Sequence, residues 1–74
     1  MDSDNLIRMA NRIGEFFEAM PDRPEAIEGI ATHLKKFWDP RMRRQFLALL
    51  EQDDAGRIKD IVRVAAHRHR ALLE

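Results

Sequence analysis

Apolar residues recur at helical spacing in four stretches of the chain, and proline, aspartate and glycine mark the breaks between them. The first stretch runs from just after Ser3 or Asp4, either of which can cap the free N–H groups of a helix, to about Met20. Projected at about 100° per residue, Leu6, Ile7, Met9, Ala10, Ile13, Gly14, Phe16, Phe17 and Met20 cover half of the cylinder. A surface helix needs a stripe only a little over 100° wide, so this helix is expected to touch more than one neighbour. Gly14 costs about 1 kcal/mol of helix propensity relative to Ala, and close approach of another helix is the expected compensation.

Pro21-Asp22-Arg23-Pro24 breaks the pattern, and Asp22 with Glu25 three residues on has the form of a capping box that starts a second helix. Its stripe is Ile27, Ile30, Ala31, Leu34, Phe37 and Trp38, with Glu25, Glu28, Thr32 and Lys36 on the other side. Trp38-Asp39-Pro40 ends it, because the residue before a proline avoids the helical conformation, and opens a third helix with Asp39 as cap and Pro40 at the first helical position. There Met42, Phe46, Leu49 and Leu50 form the expected inner face, while the arginines point outward. Asp53-Asp54-Ala55-Gly56 is the next turn, and a fourth helix over about 55–72 places Ile58, Ile61, Val62, Ala65, Ala66, His69, Leu72 and Leu73 on one face. The pattern predicts an all-α fold, a small bundle of three to four short helices forming a single domain over 1–74.

Length sharpens this picture. Folding a 74-residue chain buries only roughly 60% of the surface that the unfolded chain exposes, so the core must be thin. The absence of cysteine removes disulfides, thiolate metal sites and the usual iron–sulfur ligation. Stability is then expected from a partner chain or from efficient helix packing, and an isolated chain is expected to be weakly stable or a homo-oligomer. No apolar run approaches the roughly eighteen residues of a membrane span, and the acidic start lacks the basic region of a secretory signal. The expected location is cytoplasmic, with no membrane partner.

Thirteen basic and thirteen acidic residues cancel, yet residues 31–50 hold one acid, Asp39, against Lys35, Lys36, Arg41, Arg43 and Arg44. A dedicated nucleic-acid binder is usually strongly basic overall, so nucleic acid is not the expected partner, although a local basic docking surface remains open. Catalytic chemistry is thin: Ser3 and Thr32 are the only hydroxyl nucleophiles, and neither stands beside a base. His67 and His69, two residues apart, project about 160° from one another on a helix, unlike a metal-binding pair on one face. No catalytic residue, metal site or cofactor is expected.

The most informative stretch is Phe37-Trp38-Asp39-Pro40-Arg41-Met42-Arg43, which packs a Trp, a capped Pro turn and arginines into seven residues. Trp and Arg are enriched at binding hot spots, but Trp38 could equally plug the end of the bundle while Asp39 caps the next helix. Chemistry alone leaves both readings open.

Together with Leu6-Ile7-Arg8-Met9-Ala10-Asn11, Ile13-Gly14, Phe16-Phe17, Ile30-Ala31 and His33-Leu34, this stretch resembles the delta subunit of soluble, NAD-dependent, molybdenum- or tungsten-containing formate dehydrogenases. The resemblance spans about residues 5–50, with nothing distinctive beyond Glu51. It implies a small cofactor-free accessory subunit that supports assembly or stability of an enzyme whose other chains hold the molybdopterin, iron–sulfur clusters and flavin. The implied partners are those other subunits, the catalytic molybdopterin subunit first among them. No active-site residue of the family carries over to this chain. Partner-binding residues are expected at Phe16, Phe17, His33 and Phe37, and through the turn at Trp38, Asp39, Pro40, Arg41, Met42, Arg43 and Arg44. The alternative is a small regulatory helical binding module, including one for nucleic acid. Salt separates the two, since binding to phosphates weakens steeply with ionic strength while an aromatic dock survives.

Overall fold

Short aspartate caps decide where three of the helices begin. In the computed structural model, which describes residues 2–53 and 55–74, the elements are α1 (Ser3–Glu18), α2 (Arg23–Phe37), α3 (Pro40–Glu51), α4 (Asp60–Arg68) and α5 (Arg70–Leu73). Met1, and Asp54 of the expected turn, lie outside the described residues. The fold is all-α. Asp2, not Ser3 or Asp4, caps α1, its carboxylate accepting from the Asp4 N–H at 3.1 Å, and α1 stops at Glu18, two residues before the expected end. Asp22 Oδ1 accepts from the Glu25 N–H at 3.2 Å, and Asp39 Oδ1 from the Met42 N–H at 3.0 Å with Pro40 opening α3, both as the sequence leads one to expect. Each cap satisfies an N–H that has no carbonyl partner inside the helix.

The half-cylinder of apolar residues on α1 is used: the helix packs against α2, α3 and α4. Gly14 lies where α4 approaches, and a Cβ there would stand 2.6 Å from Val62 Cγ2. Leu6, Ile30, Leu34, Phe46, Ile61, Val62 and Leu73 are fully buried at the centre. Leu47 and Ala26 join them although the expected stripes omitted both, whereas Phe16, Phe37 and Leu72, all counted in apolar stripes, are exposed.

The expected fourth helix over 55–72 is two helices preceded by a loop. Ahead of them, Asp53 accepts from the Arg57 and Ile58 N–H groups, each at 2.9 Å, and Gly56 takes φ +67°. Asn11 of α1 then accepts from the Lys59 N–H and donates to the Arg57 carbonyl, both at 2.9 Å, which delays the helix start to Asp60. His69, at φ −113° and ψ 33°, interrupts the helix. The bend brings Leu73 into the core between α2, α3 and α4, and Arg70 pairs with Glu51 and Glu74. Among the described residues no helix is long and apolar enough to cross a membrane.

Candidate docking surface

On one side of the molecule α1 and α2 present a row of aromatic rings to solvent. Phe16 and Phe17 meet edge to face at 5.2 Å, Phe17 meets His33 at 6.3 Å, and His33 lies against Phe37 at 4.7 Å between ring centroids. The row is half outside the protein: Phe16 is 73% and Phe37 70% exposed, while Phe17 and His33 are half-buried. Phe17 is held by the absence of a side chain at Gly29, where a Cβ would sit 2.5 Å from the ring edge. Its ring and His33 form a ridge between two open grooves. One, of about 590 Å³, runs along α2 from Pro24 and Glu25 past Gly29 to Lys36 and Phe37; the other, of about 330 Å³, is walled by Arg12, Ile13 and Phe16.

Four of the expected partner-binding residues, Phe16, Phe17, His33 and Phe37, are thus brought together. The rest of the set divides. Trp38 is turned inward, 5% exposed and edge to face with Phe46 at 5.7 Å, which is the bundle-plug arrangement. Arg43, expected to point outward, is also buried: its Nη1 donates to the Lys35 carbonyl at 3.0 Å and the Trp38 carbonyl at 2.7 Å. It closes the end of α2, whose last carbonyls have no partner within the helix. Its position explains this, because Arg43 stands three, four and seven residues before the buried Phe46, Leu47 and Leu50. Met42 is half-buried against the core, Asp39 and Pro40 shape the exposed turn, and Arg41 is exposed. Arg44 is exposed too but lines a separate groove beside Glu51 and Arg70, away from the aromatic row.

Sequence reasoning passed over Pro24, Glu28, Gly29 and Lys36 as groove residues. Their common spacing along the polar face of α2 was visible, but that a groove lies over it depends on where α1 places Phe17. Lys35, Lys36, Arg41, Glu25 and Glu28 are exposed and form no ion pair among the described residues, so the charge around the row is unspent within the chain. Among the described residues no group of three or more His, Asp or Glu side chains is placed to hold a metal ion.

Residues 5–66 match the family model described as NADH-dependent formate dehydrogenase delta subunit FdsD, so the likeness runs beyond Glu51 through most of α4. No curated protein and no solved structure matches the chain.

Proposed function

Since the chain belongs to the family of formate dehydrogenase delta subunits, we propose that it is a non-catalytic accessory subunit that supports assembly or stability of a cytoplasmic, NADH-dependent formate dehydrogenase by docking onto another subunit. The observation that carries this reading is the aromatic row, with Phe16 and Phe37 each at least 70% exposed. Clustered exposed rings are costly to leave in water and mark interaction sites. Fully burying a Phe side chain is worth about 1.5–3 kcal/mol, so two rings supply enough to anchor a modest interface. The turn at Asp39, Pro40 and Arg41 begins two residues after Phe37, is fixed by its cap, and costs little ordering on binding. We assign the partner as the catalytic molybdopterin subunit.

The test is co-purification of this chain with that subunit carrying an affinity tag. Phe16→Ser with Phe37→Ser is expected to weaken capture at least tenfold while circular dichroism stays unchanged, since neither ring belongs to the core. Arg41→Glu tests the turn separately. Capture equal to wild type by the Phe16/Phe37 double variant would remove the row from the interface.

A further inference from the structure

The groove along α2 has a second property, which concerns its symmetry. Numbering from a point between residues 30 and 31, close to the middle of α2, eight of its lining residues fall into pairs at equal distance on either side, while Asp22, whose counterpart Asp39 lies outside the groove, and Phe17 of α1 stay unpaired. Pro24 is matched with Phe37, Glu25 with Lys36, Glu28 with His33, and Gly29 with Thr32. Any helix face has palindromic spacing, but the chemistry of a face need not be complementary under the same reversal. Here each pair joins apolar to apolar, acid to base, or small to small.

A two-fold interface sets residue i of one copy against residue j of the other and, at the same time, j against i. We infer that the occupant of this groove in the free protein is a second copy of the chain, with the two α2 helices antiparallel across a two-fold axis at Gly29 and Thr32. Glu25 of each copy then faces Lys36 of the other, and Glu28 faces His33. Both acids and Lys36 are exposed and form no ion pair within the described chain. Each exposed Phe37 ring lands on the Pro24 end of the opposite groove. Gly29 is covered by the chain's own Phe17 ring, so the two Phe17 rings flank the axis and form part of the contact beside Thr32.

The size of the contact sets its strength. Fourteen residues of helix span roughly 20 Å, and an antiparallel contact of that length buries on the order of 1,000 Å² in total, the low end for specific interfaces. Dissociation in the micromolar range or weaker follows, so the pair can open. That opening matters because Phe37 belongs to the proposed enzyme dock as well. The statement that a paired chain is masked from the enzyme rests on the docking proposed above, while the pairing itself does not.

The experiment is sedimentation equilibrium on the full chain at low ionic strength, from about 10 μM to 1 mM, a range chosen to bracket a weak interface. Wild type is expected to form a reversible dimer. Glu25→Lys sets Lys against Lys twice, and Lys36→Glu sets Glu against Glu twice, so each variant alone is expected to dimerise about tenfold more weakly. Mixed one to one, the two variants restore both opposite-charge contacts and are expected to form a heterodimer of wild-type strength. Phe37→Ser, a change at an exposed ring, is expected to abolish pairing with the fold intact. A wild-type chain that stays monomeric throughout overturns the inference, as does a mixture that associates no better than its components. If wild type is monomeric and Phe37→Ser nevertheless loses capture by the enzyme, the groove belongs to the partner subunit and the second copy is excluded.

Discussion

Two single positions show how finely the packing is set. At Gly14 the gap between α1 and α4 leaves no room for a methyl group, since a Cβ would meet Val62 Cγ2 at 2.6 Å. Ala is the better helix former by about 1 kcal/mol, but overpacking a filled core costs about 1–3 kcal/mol, so Gly14→Ala is expected to destabilise by about 1 kcal/mol net. Adding Val62→Ala removes the obstructing methyl, and a double-mutant cycle by urea unfolding should show the two changes to be coupled rather than additive. At Arg43 the guanidinium completes the end of α2, so Arg43→Met leaves the Lys35 and Trp38 carbonyls without that donor. A loss of about 1–3 kcal/mol is expected, a fall in melting temperature of about 5–15 °C for a chain this short. An unchanged melt would mean that water serves these carbonyls equally well. Gly14 was legible in the sequence, because a glycine inside a wide apolar stripe asks for a close neighbour. Arg43 was misread because its charge outweighed its spacing, although the positions of Phe46, Leu47 and Leu50 placed it on the inner face.

Helix boundaries separate into those set by neighbours in sequence and those set from afar. Asp22 and Asp39 bind N–H groups three residues away, so the starts of α2 and α3 could be read directly. The start of α4 depends on Asn11, which reaches Arg57 and Lys59 across 46 and 48 residues, and no local pattern reports that. Exposure of Phe37 was hidden for a similar reason. It lies seven residues from the fully buried Ile30, on nearly the same line of α2, and periodicity cannot say which levels of a helix a neighbour covers. Asp53 holds the α3–α4 loop together. The Ile58 N–H first, then the Arg57 N–H and the charge and hydrogen bond of Arg63, keep its carboxyl below the usual range against the opposing effect of burial. A carboxylate whose folded pKa is lowered contributes stability that is complete above its unfolded value near pH 3.9 and is lost as pH falls through the folded pKa. Asp53→Asn is therefore expected to melt lower than wild type at pH 7, with the difference closing as the solution is acidified below that window. Thermal melts at stepped pH check this; a difference that stays constant into acid would assign the loop's stability to shape instead of charge.

At the scale of the whole molecule the question is how a chain this small stays folded with rings left in water. Its accessible surface of 4626 Å² is what compact monomers of this mass expose, and burial relative to the unfolded chain is only about 60%. The exposed salt bridges add little, since pairs such as Arg23 with Asp60 and Arg57 with Asp4 are half or more in solvent. Burial of the aromatic face therefore remains the largest unused source of stability, and association through it must raise the melting temperature by mass action. If dimers form with a dissociation constant near 100 μM, raising the chain to 1 mM adds about 1.4 kcal/mol, which for a domain this size is a rise of about 5–10 °C. Wild type is expected to show that rise between dilute and concentrated samples. Phe16→Ser with Phe37→Ser is expected to melt at one temperature throughout, close to that of dilute wild type, because exposed substitutions usually change stability by no more than about 0.5 kcal/mol. Scanning calorimetry at three concentrations separates the cases: a wild-type midpoint independent of concentration would show that the free chain is stable alone with its rings exposed, and would remove a second copy as the cover for this face.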